Sequence, residues 1–214
     1  YPDAESGGTT CDGYVRRAGI DESFSNIISG DGNGSSVTAF TTEISLAAST
    51  TSNQFTYLYR LIFTLDTSAL TAIANISSAI FSVAGCYKYD NLGKADFHIC
   101  SSNPTANNNI QNSDYGTLGS TSFGYVDYDS YLVDDSYNNI TLNSSGIANI
   151  SKTGITKIGA KTSWDMNNSF TGTWSSGAST RLALYLADYG ETTRDPKLVV
   201  TYTLATFIPQ ILFM

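Results

Sequence analysis

The chain is expected to be all-β: an antiparallel β-sandwich of jelly-roll type with one short helix and a C-terminal apolar extension strand. Three observations predict this. Short runs rich in Tyr, Phe, Ile, Val and Thr recur along the chain with apolar and polar residues in alternation. Gly, Asn, Asp and Ser punctuate them, and these residues take turn conformations at low cost. No rhythm of strands alternating with long helical patterns is present, which argues against a parallel sheet.

The elements follow in order. Residues 1–10, with Gly7-Gly8-Thr9-Thr10, read as a loosely ordered N-terminal segment, and residues 11–203 as the domain itself. Tyr14–Arg17 and Ser23–Ile28 read as short strands, the second ended by the glycine-rich turn Ser29–Gly34. Tyr57–Leu65 carries the strongest strand signal. Tyr57, Tyr59, Leu61, Phe63 and Leu65 share one face, and Leu58, Arg60, Ile62 and Thr64 the other. Asp66–Ala69 is a turn, and Ser78–Gly85 and Ala95–Cys100 return as strands. In the long polar section from Ser101 to Asp135, Tyr115, Phe123, Tyr125, Tyr128 and Tyr131 are expected to pin a loop onto the sheet. Ile140–Leu142 is a strand. Ser144–Lys152 is the one helix candidate, with Ser144 or Ser145 as N-cap, Ile147 and Ile150 on its buried side and Gly154 as its stop. Lys157–Lys161, Arg181–Ala187 and Lys197–Thr203 complete the sheet.

Composition limits the function. Of the 214 residues, 41% are hydrophobic, enough for a core, and only 14% are charged, with Ser, Thr, Asn and Gly filling the difference. That balance is usual for secreted and cell-surface β proteins. A net charge of −8 argues against nucleic acid, which needs clustered Lys and Arg, and against anionic membranes. The first residue is Tyr1 rather than Met, as after removal of a signal peptide or in a piece of a longer chain. Of the three cysteines, Cys86 and Cys100 lie on apparently consecutive strands and form the disulfide candidate, with Cys11 left over; three reduced thiols are the alternative. No C-x-x-C spacing is present and no metal ligand set is expected.

Arg60-Leu-Ile-Phe-Thr-Leu-Asp-Thr-Ser-Ala-Leu70 is followed by Ile76-Ser-Ser-Ala-Ile-Phe-Ser-Val83, and later by Ile155–Gly159 and Asp195-Pro-Lys-Leu-Val-Val-Thr-Tyr202. Over about residues 10–203 this pattern resembles the DNRLRE-type domains of secreted bacterial and phage surface proteins, and the chain is also similar to predicted surface proteins of uncultured microbes. The resemblance implies a jelly roll like that of carbohydrate-binding modules, an inward Arg60, a turn-capping Asp66 and a final edge strand. It says little about activity. The chain departs from the pattern in the apolar stretch that follows Tyr202.

Catalytic signals are weak, and an enzyme is not expected. The sole histidine, His98, alternates with apolar residues in a strand and reads as structural. No G-x-S-x-G, Walker or H-E-x-x-H pattern occurs. Asp127, Asp129, Asp134 and Asp135 form one acidic group, and Asp188, Glu191 and Asp195 another, but a glycosidase needs two carboxylates facing each other across a sugar. Asp31–Gly34 and Asp127–Asp129 have the oxygen density for a structural calcium ion without EF-hand spacing; solvated turn acids are the alternative. Trp164 and Trp174 bound a loop and are the sugar-stacking candidates, against a plain packing role. Asn33, Asn75, Asn139, Asn143, Asn149 and Asn167 each open an N-x-S/T sequon and are the glycosylation candidates.

The segment 204–214 decides the leading functional expectation. Phe207, Ile208, Pro209, Ile211, Leu212, Phe213 and Met214 give it two apolar faces, too greasy for water at roughly 1.5–3 kcal/mol per buried large side chain. It folds back on its own domain, inserts into a neighbouring copy or packs on another partner. The stretch from Leu198 onward, with Thr201, Thr203, Thr206, Pro209 and Gln210, does not read as a spanning helix. Insertion into a neighbour adds a strand to an open sheet, and a head-to-tail contact of that kind generates a filament. The expectation is therefore a structural subunit of an extracellular, pilus-like filament of identical subunits at the cell surface, with a carbohydrate-binding adhesin or phage-fibre module as the alternative.

Overall fold

One strand, β4 (Phe55–Asp66), carries the architecture because its alternation feeds two cores. Leu61, Phe63 and Leu65 point into the larger cluster, and Leu58 and Ile62 into a second cluster on the opposite face. The computed structural model describes residues 1–3, 8–190 and 192–205.

Along one edge β4 pairs with β1 (Asp12–Glu22), which carries the short β2 (Gly34–Ser36) at its own far edge. Along the other edge its partner changes. Ser45 of β3 (Thr41–Ala48) lies opposite Tyr59, whereas Ala160 of β9 (Ile155–Thr162) lies opposite Leu61. The sheet forks at Arg60. One branch runs through β9 to β6 (Phe97–Ser101) and β7 (Gly124–Val126). The other runs through β3 and β10 (Ser179–Tyr185) to the C-terminal part of β5 (Ala74–Asp90). The N-terminal part of β5 pairs with β8 (Tyr137–Thr141) and with β11 (Lys197–Leu204), which ends the sheet among the described strands. All pairings between these strands are antiparallel, so the expected all-β sandwich holds.

The larger core fills the space between the branches. Phe63 of β4 meets Phe81 of β5 with ring centroids 5.0 Å apart, although the two strands are not paired. β5 passes between layers at Gly85, where any Cβ would sit 2.0 Å from the Leu132 carbonyl oxygen, and Cys86 bulges out of register with β10.

The second core has no sheet above it. Irregular segments cover it, and Arg60 ties them together. Its guanidinium donates from Nε and Nη2 to the two carboxylate oxygens of Asp165 (2.6 and 2.7 Å), from Nη1 to the Tyr115 carbonyl (2.6 Å) and from Nη2 to the Ile28 carbonyl (2.7 Å). It lies 4.0 Å from the Tyr115 ring centroid. Both members of the pair are buried. Burial works to lower the arginine pKa, but the Asp165 carboxylate outweighs it and holds the group above its ordinary value. The inward arginine and the Asp66 cap, whose Oδ1 accepts from Ser68 N at 2.9 Å, are both present.

Several local expectations are corrected. Ser23–Ile28 is not a strand: Phe24–Ile27 forms α1, with the Ser23 side chain accepting from Asn26 N, and its Ile27 is buried in the second core. Instead of one helix there are, among the described residues, three short α-helices, α1, α2 (Ser144–Asn149) and α3 (Ser163–Met166). The N-cap of α2 is Asn143, one residue ahead of the expected serines. Strand β3 was not expected at all. Of the loop aromatics, Tyr115, Phe123, Tyr128 and Tyr131 are buried, but Tyr125 is exposed. The looseness expected of residues 1–10 does not extend to Asp3, whose Oδ2 accepts from Thr9 N and Thr10 N at 2.8 and 3.0 Å. Of the extension strand 204–214, only Leu204 and Ala205 fall among the described residues.

Cys86 and Cys100 are not bonded. All three cysteines are free, because β5 neighbours β8, β10 and β11 whereas β6 neighbours β7 and β9. Burial raises the thiol pKa of Cys11 and Cys86 to about 11 and of Cys100 to about 12, so thiolate is scarce at neutral pH. Ellman's reagent should therefore react slowly with the native protein and count three thiols after denaturation without reductant; a count of one would restore the disulfide.

Candidate functional site

Five adjacent strands present one open face of tyrosines and arginines. Register fixes the arrangement. Arg16, Tyr59, Ser45, Arg181 and Tyr89 lie opposite one another in a single row across β1, β4, β3, β10 and β5. Ala18, Tyr57, Ala47 and Ser179 form the next row, and Glu43, Ala183 and Tyr87 a row on the other side. The middle strands carry small buried residues, Ser45, Ala47, Ser179 and Ala183, between large ones. The face is thus a trough with an aromatic bank on each side. A shallow hollow of about 320 Å³ opens at one end, between Asp21, Tyr57 and Arg181.

The side chains hold one another in place. Tyr14 and Tyr59 lie 5.2 Å apart, and Tyr57 stands edge-on to Tyr59 at 5.6 Å. Arg16 sits 5.3 Å from the Tyr59 ring centroid and donates from Nη1 to its hydroxyl. Arg181 lies 5.5 Å from the Tyr57 ring centroid, donates to the Tyr57 hydroxyl and, at 3.0 Å, to Ser179 Oγ, and faces Glu43 at 3.6 Å. The Tyr87 hydroxyl donates to Glu43 at 2.8 Å. Burial raises the pKa of Tyr57, and burial with the Glu43 carboxylate raises that of Tyr87, so both phenols stay protonated. Arg16 makes no ion pair with a carboxylate among the described residues, and its Nε and the Ser45 hydroxyl are buried without a hydrogen-bond partner there. Flat ring faces with cationic edges and neutral hydroxyls suit a sugar, whose C–H faces stack on aromatics and whose hydroxyls or carboxylates take up spare donors.

The second feature is the free edge of β11. Its only partner among the described strands is β5. Leu198 and Val200 pack on the core, while Val199, Tyr202 and Leu204 are 53%, 40% and 55% exposed. This edge leads directly to the apolar residues Phe207, Ile208, Pro209, Ile211, Leu212, Phe213 and Met214, which lie outside the described residues.

The expected sugar-binding tryptophans are elsewhere. Trp164 is buried at 3% exposure in α3, edge-on to Phe170 at 4.8 Å. Trp174 is partly buried in the second core and donates from Nε1 to the Gln54 carbonyl at 2.9 Å. Both are packing residues, and the aromatic surface is built from tyrosine instead. Alternation in Tyr57–Leu65 was the available signal for it, but the contributions of β1, β3, β5 and β10 become visible only with the pairing.

His98 stacks on Tyr125, with centroids 4.8 Å apart, and its Nδ1 shares a hydrogen bond of 2.9 Å with Ser122 Oγ. Burial lowers its pKa against the opposing pull of Asp96 and Asp127. Asp129 pairs with Lys94 at 2.6 Å, Asp135 with Arg194 at 2.8 Å, and Asn33 bonds the Ala18 backbone, so these loop acids and amides serve local structure. Asn33, Asn75, Asn139, Asn143 and Asn167 are exposed and Asn149 is half-buried. In comparisons with known proteins, no family model matches the chain, and no curated protein does.

Of the second acidic group, Glu191 lies outside the described residues, while Asp188 and Asp195 act electrostatically on a buried third acid, Asp12. Asp12 is fully buried, and its Oδ2 accepts from Ala187 N at 3.0 Å. Burial, reinforced by Asp188 and Asp195, pushes its pKa up from 3.8 to about 7 against the bond from Ala187. Between those values the folded state keeps a proton that the unfolded state releases, so this contribution is present below the lower value and lost as pH rises through the upper one. Wild type should lose on the order of a few kcal/mol of unfolding free energy relative to Asp12→Asn between pH 4 and pH 8. Parallel pH profiles in denaturant titrations of the two proteins would contradict this.

Proposed function

We propose that the protein is a structural subunit of an extracellular filament, each copy joined to the next by strand addition. The observation that carries this reading is the edge of β11, eight residues long, unpaired among the described strands and continuous in sequence with the apolar segment 206–214. Exposed strand edges pair readily with other chains, and natural sheets usually blunt them with charge or cover. Here the edge strand carries a single charged residue, Lys197, and exposed Val199 lies opposite exposed Ile80.

In this reading segment 206–214 of one copy lies along β11 of the next. One of its apolar faces would extend the rim formed by Leu198 and Val200, and the other would stand beside exposed Val199. A strand apolar on both faces fits a slot inside a sandwich better than a solvent-facing edge, so its outer face also needs cover in the filament. Pro209 costs one ladder bond, which an added edge strand tolerates. Because donor and acceptor surfaces differ, the contact propagates rather than closes. The low charge content and the abundant Ser and Thr support a surface location, and the resemblance to DNRLRE-type surface domains agrees with it. Among the described residues no helix is long and apolar enough to cross a membrane.

The test is negative-stain electron microscopy of the chain with and without residues 206–214, cut after Ala205 because Ala205 N still bonds the Ile73 carbonyl at 3.2 Å. Filaments from the full chain and a folded monomer from the truncated one are expected. Fibres from the truncated chain, or its failure to fold, would overturn the reading.

The tyrosine platform favours a second reading, a glycan-binding surface module. Binding on a glycan array should then fall at least about tenfold in Tyr57→Ala/Tyr59→Ala, since each stacked ring contributes on the order of 1 kcal/mol beyond its buried area. Unchanged binding in that variant would remove the platform from consideration.

A further inference from the structure

The six sequons are chemically alike, but their asparagine side chains are not. We propose that the chain carries N-linked glycans at Asn75, Asn139 and Asn167, and that Asn33, Asn143 and Asn149 are structural amides that stay unmodified. The proposal rests only on passage through a compartment that glycosylates N-x-S/T, not on filament assembly.

Transfer of a glycan from an activated, phosphate-linked donor breaks the bond from C1 to the leaving phosphate, forms a C1–Nδ2 bond and releases one of the two amide hydrogens as a proton, which makes the side chain a secondary amide. Secondary amides are trans by on the order of a hundredfold or more. The sugar then lies on the same side as Oδ1, and the one remaining N–H points away from it.

Asn33 cannot meet that requirement in the native fold. Its Oδ1 accepts from Ala18 N at 2.9 Å while its Nδ2 donates back to Ala18 O at 2.6 Å. This closed pair uses the hydrogen on the Oδ1 side, where the sugar would stand. Asn143 is held at both ends: Oδ1 caps α2 by accepting from Gly146 N at 3.0 Å, and Nδ2 donates to the Ser122 carbonyl at 2.8 Å. Asn149 is half-buried and donates from Nδ2 to the Lys157 carbonyl at 2.9 Å. Each of these amides replaces a backbone partner in a turn or a cap, and loss of such a cap is destabilising.

Among the described residues the other three leave Nδ2 unused. Asn75 is exposed opposite Thr203 of β11 and makes no side-chain hydrogen bond among the described residues. Asn139 is exposed opposite Ser82 and uses only its oxygen, accepting from Ser82 Oγ at 2.7 Å. Asn167 is exposed just past α3, with its backbone N–H capping the helix and its side chain unbonded among the described residues.

Asn75 and Asn139 belong to the same outer face of the β8–β5–β11 layer. The exposed residues there are mostly hydroxylic, with Ser78, Thr141, Thr201 and Thr203 around Ile80 and Val199. The seven residues of β5 that separate their register positions span roughly 20 Å, enough for two glycans to stand side by side. Sugar would cover the face and leave the edge of β11 open to protein.

The full chain, secreted from a eukaryotic host that modifies N-x-S/T, is to be deglycosylated in oxygen-18 water and its peptides read by mass spectrometry. In the soluble folded fraction, occupancy at Asn33, Asn143 and Asn149 should be at least tenfold below that at Asn75, Asn139 and Asn167. The Asn75→Gln/Asn139→Gln/Asn167→Gln variant should run at its polypeptide mass with an unchanged circular dichroism spectrum. Occupancy at Asn33, Asn143 or Asn149 matching the others, or no glycan at Asn75, Asn139 and Asn167, would overturn the proposal. Because occupancy is read per peptide in monomer and polymer alike, failure to form filaments leaves this result independent.

Discussion

Everything on the outer side of β4 depends on one buried guanidinium. Arg60 stands where β4 exchanges β3 for β9, so the backbone there is where the two branches part. The layer that covers the second core comes from three separate stretches, ending in Ile28, Tyr115 and Asp165, none of which supplies a long element of its own. Four donated hydrogen bonds from one planar group fix all three against the sheet. A lysine would offer a point charge without the fork geometry. Buried ion pairs are often no more stabilising than apolar residues of the same volume, but removal of one partner commonly costs about 3–5 kcal/mol because the other charge is stranded. The pair is therefore better understood as specifying one arrangement of the covering loops than as a source of net stability.

The fork also places the features that bear on function. Because the β3–β10–β5 branch lifts away from β9, its inner face joins the larger core and its outer face stays open. That open face is the tyrosine and arginine trough. The same β5 then crosses to the second layer at Gly85 and there gains β11 on its flank, which leaves β11 at the end of the sheet. The open face and the edge proposed for assembly thus both depend on one long strand. The two proposals are compatible: subunits joined along β11 would display the troughs at regular intervals.

Much of the fold was legible in the sequence where alternation was strong. Tyr57–Leu65 reads as a strand, and Leu58, Leu61, Ile62, Phe63 and Leu65 are buried on its two faces, while Tyr57 and Tyr59 border the open trough. The closing strand, the Asp66 cap and the inward Arg60 were also readable. Thr41–Ala48 is hard to read because only Ile44 and Leu46 are large and apolar among small, hydroxylic and charged neighbours, although both are fully buried. Ser23–Ile28 misled because Phe24 and Ile28 look like one face of a strand, while the Ser23 cap that starts a helical turn is only weakly visible. The disulfide expectation failed because adjacency in sequence was taken for adjacency in the sheet. Both tryptophans drew attention as sugar platforms, yet a large ring with one donor fills a core gap just as well, as the Trp174 bond to Gln54 shows. The trough itself assembles residues from five strands and has no local signature.

The central claim is that Arg60 couples three covering segments that come from distant parts of the chain. Hydrogen–deuterium exchange on Arg60→Met/Asp165→Asn, which removes the link without leaving a lone buried carboxylate, tests it directly. The account predicts that amides around Ile28, Tyr115 and Asp165 lose protection together, while those of β5, β8 and β11 keep theirs. Loss confined to α3, or uniform loss across the whole sheet, would contradict it.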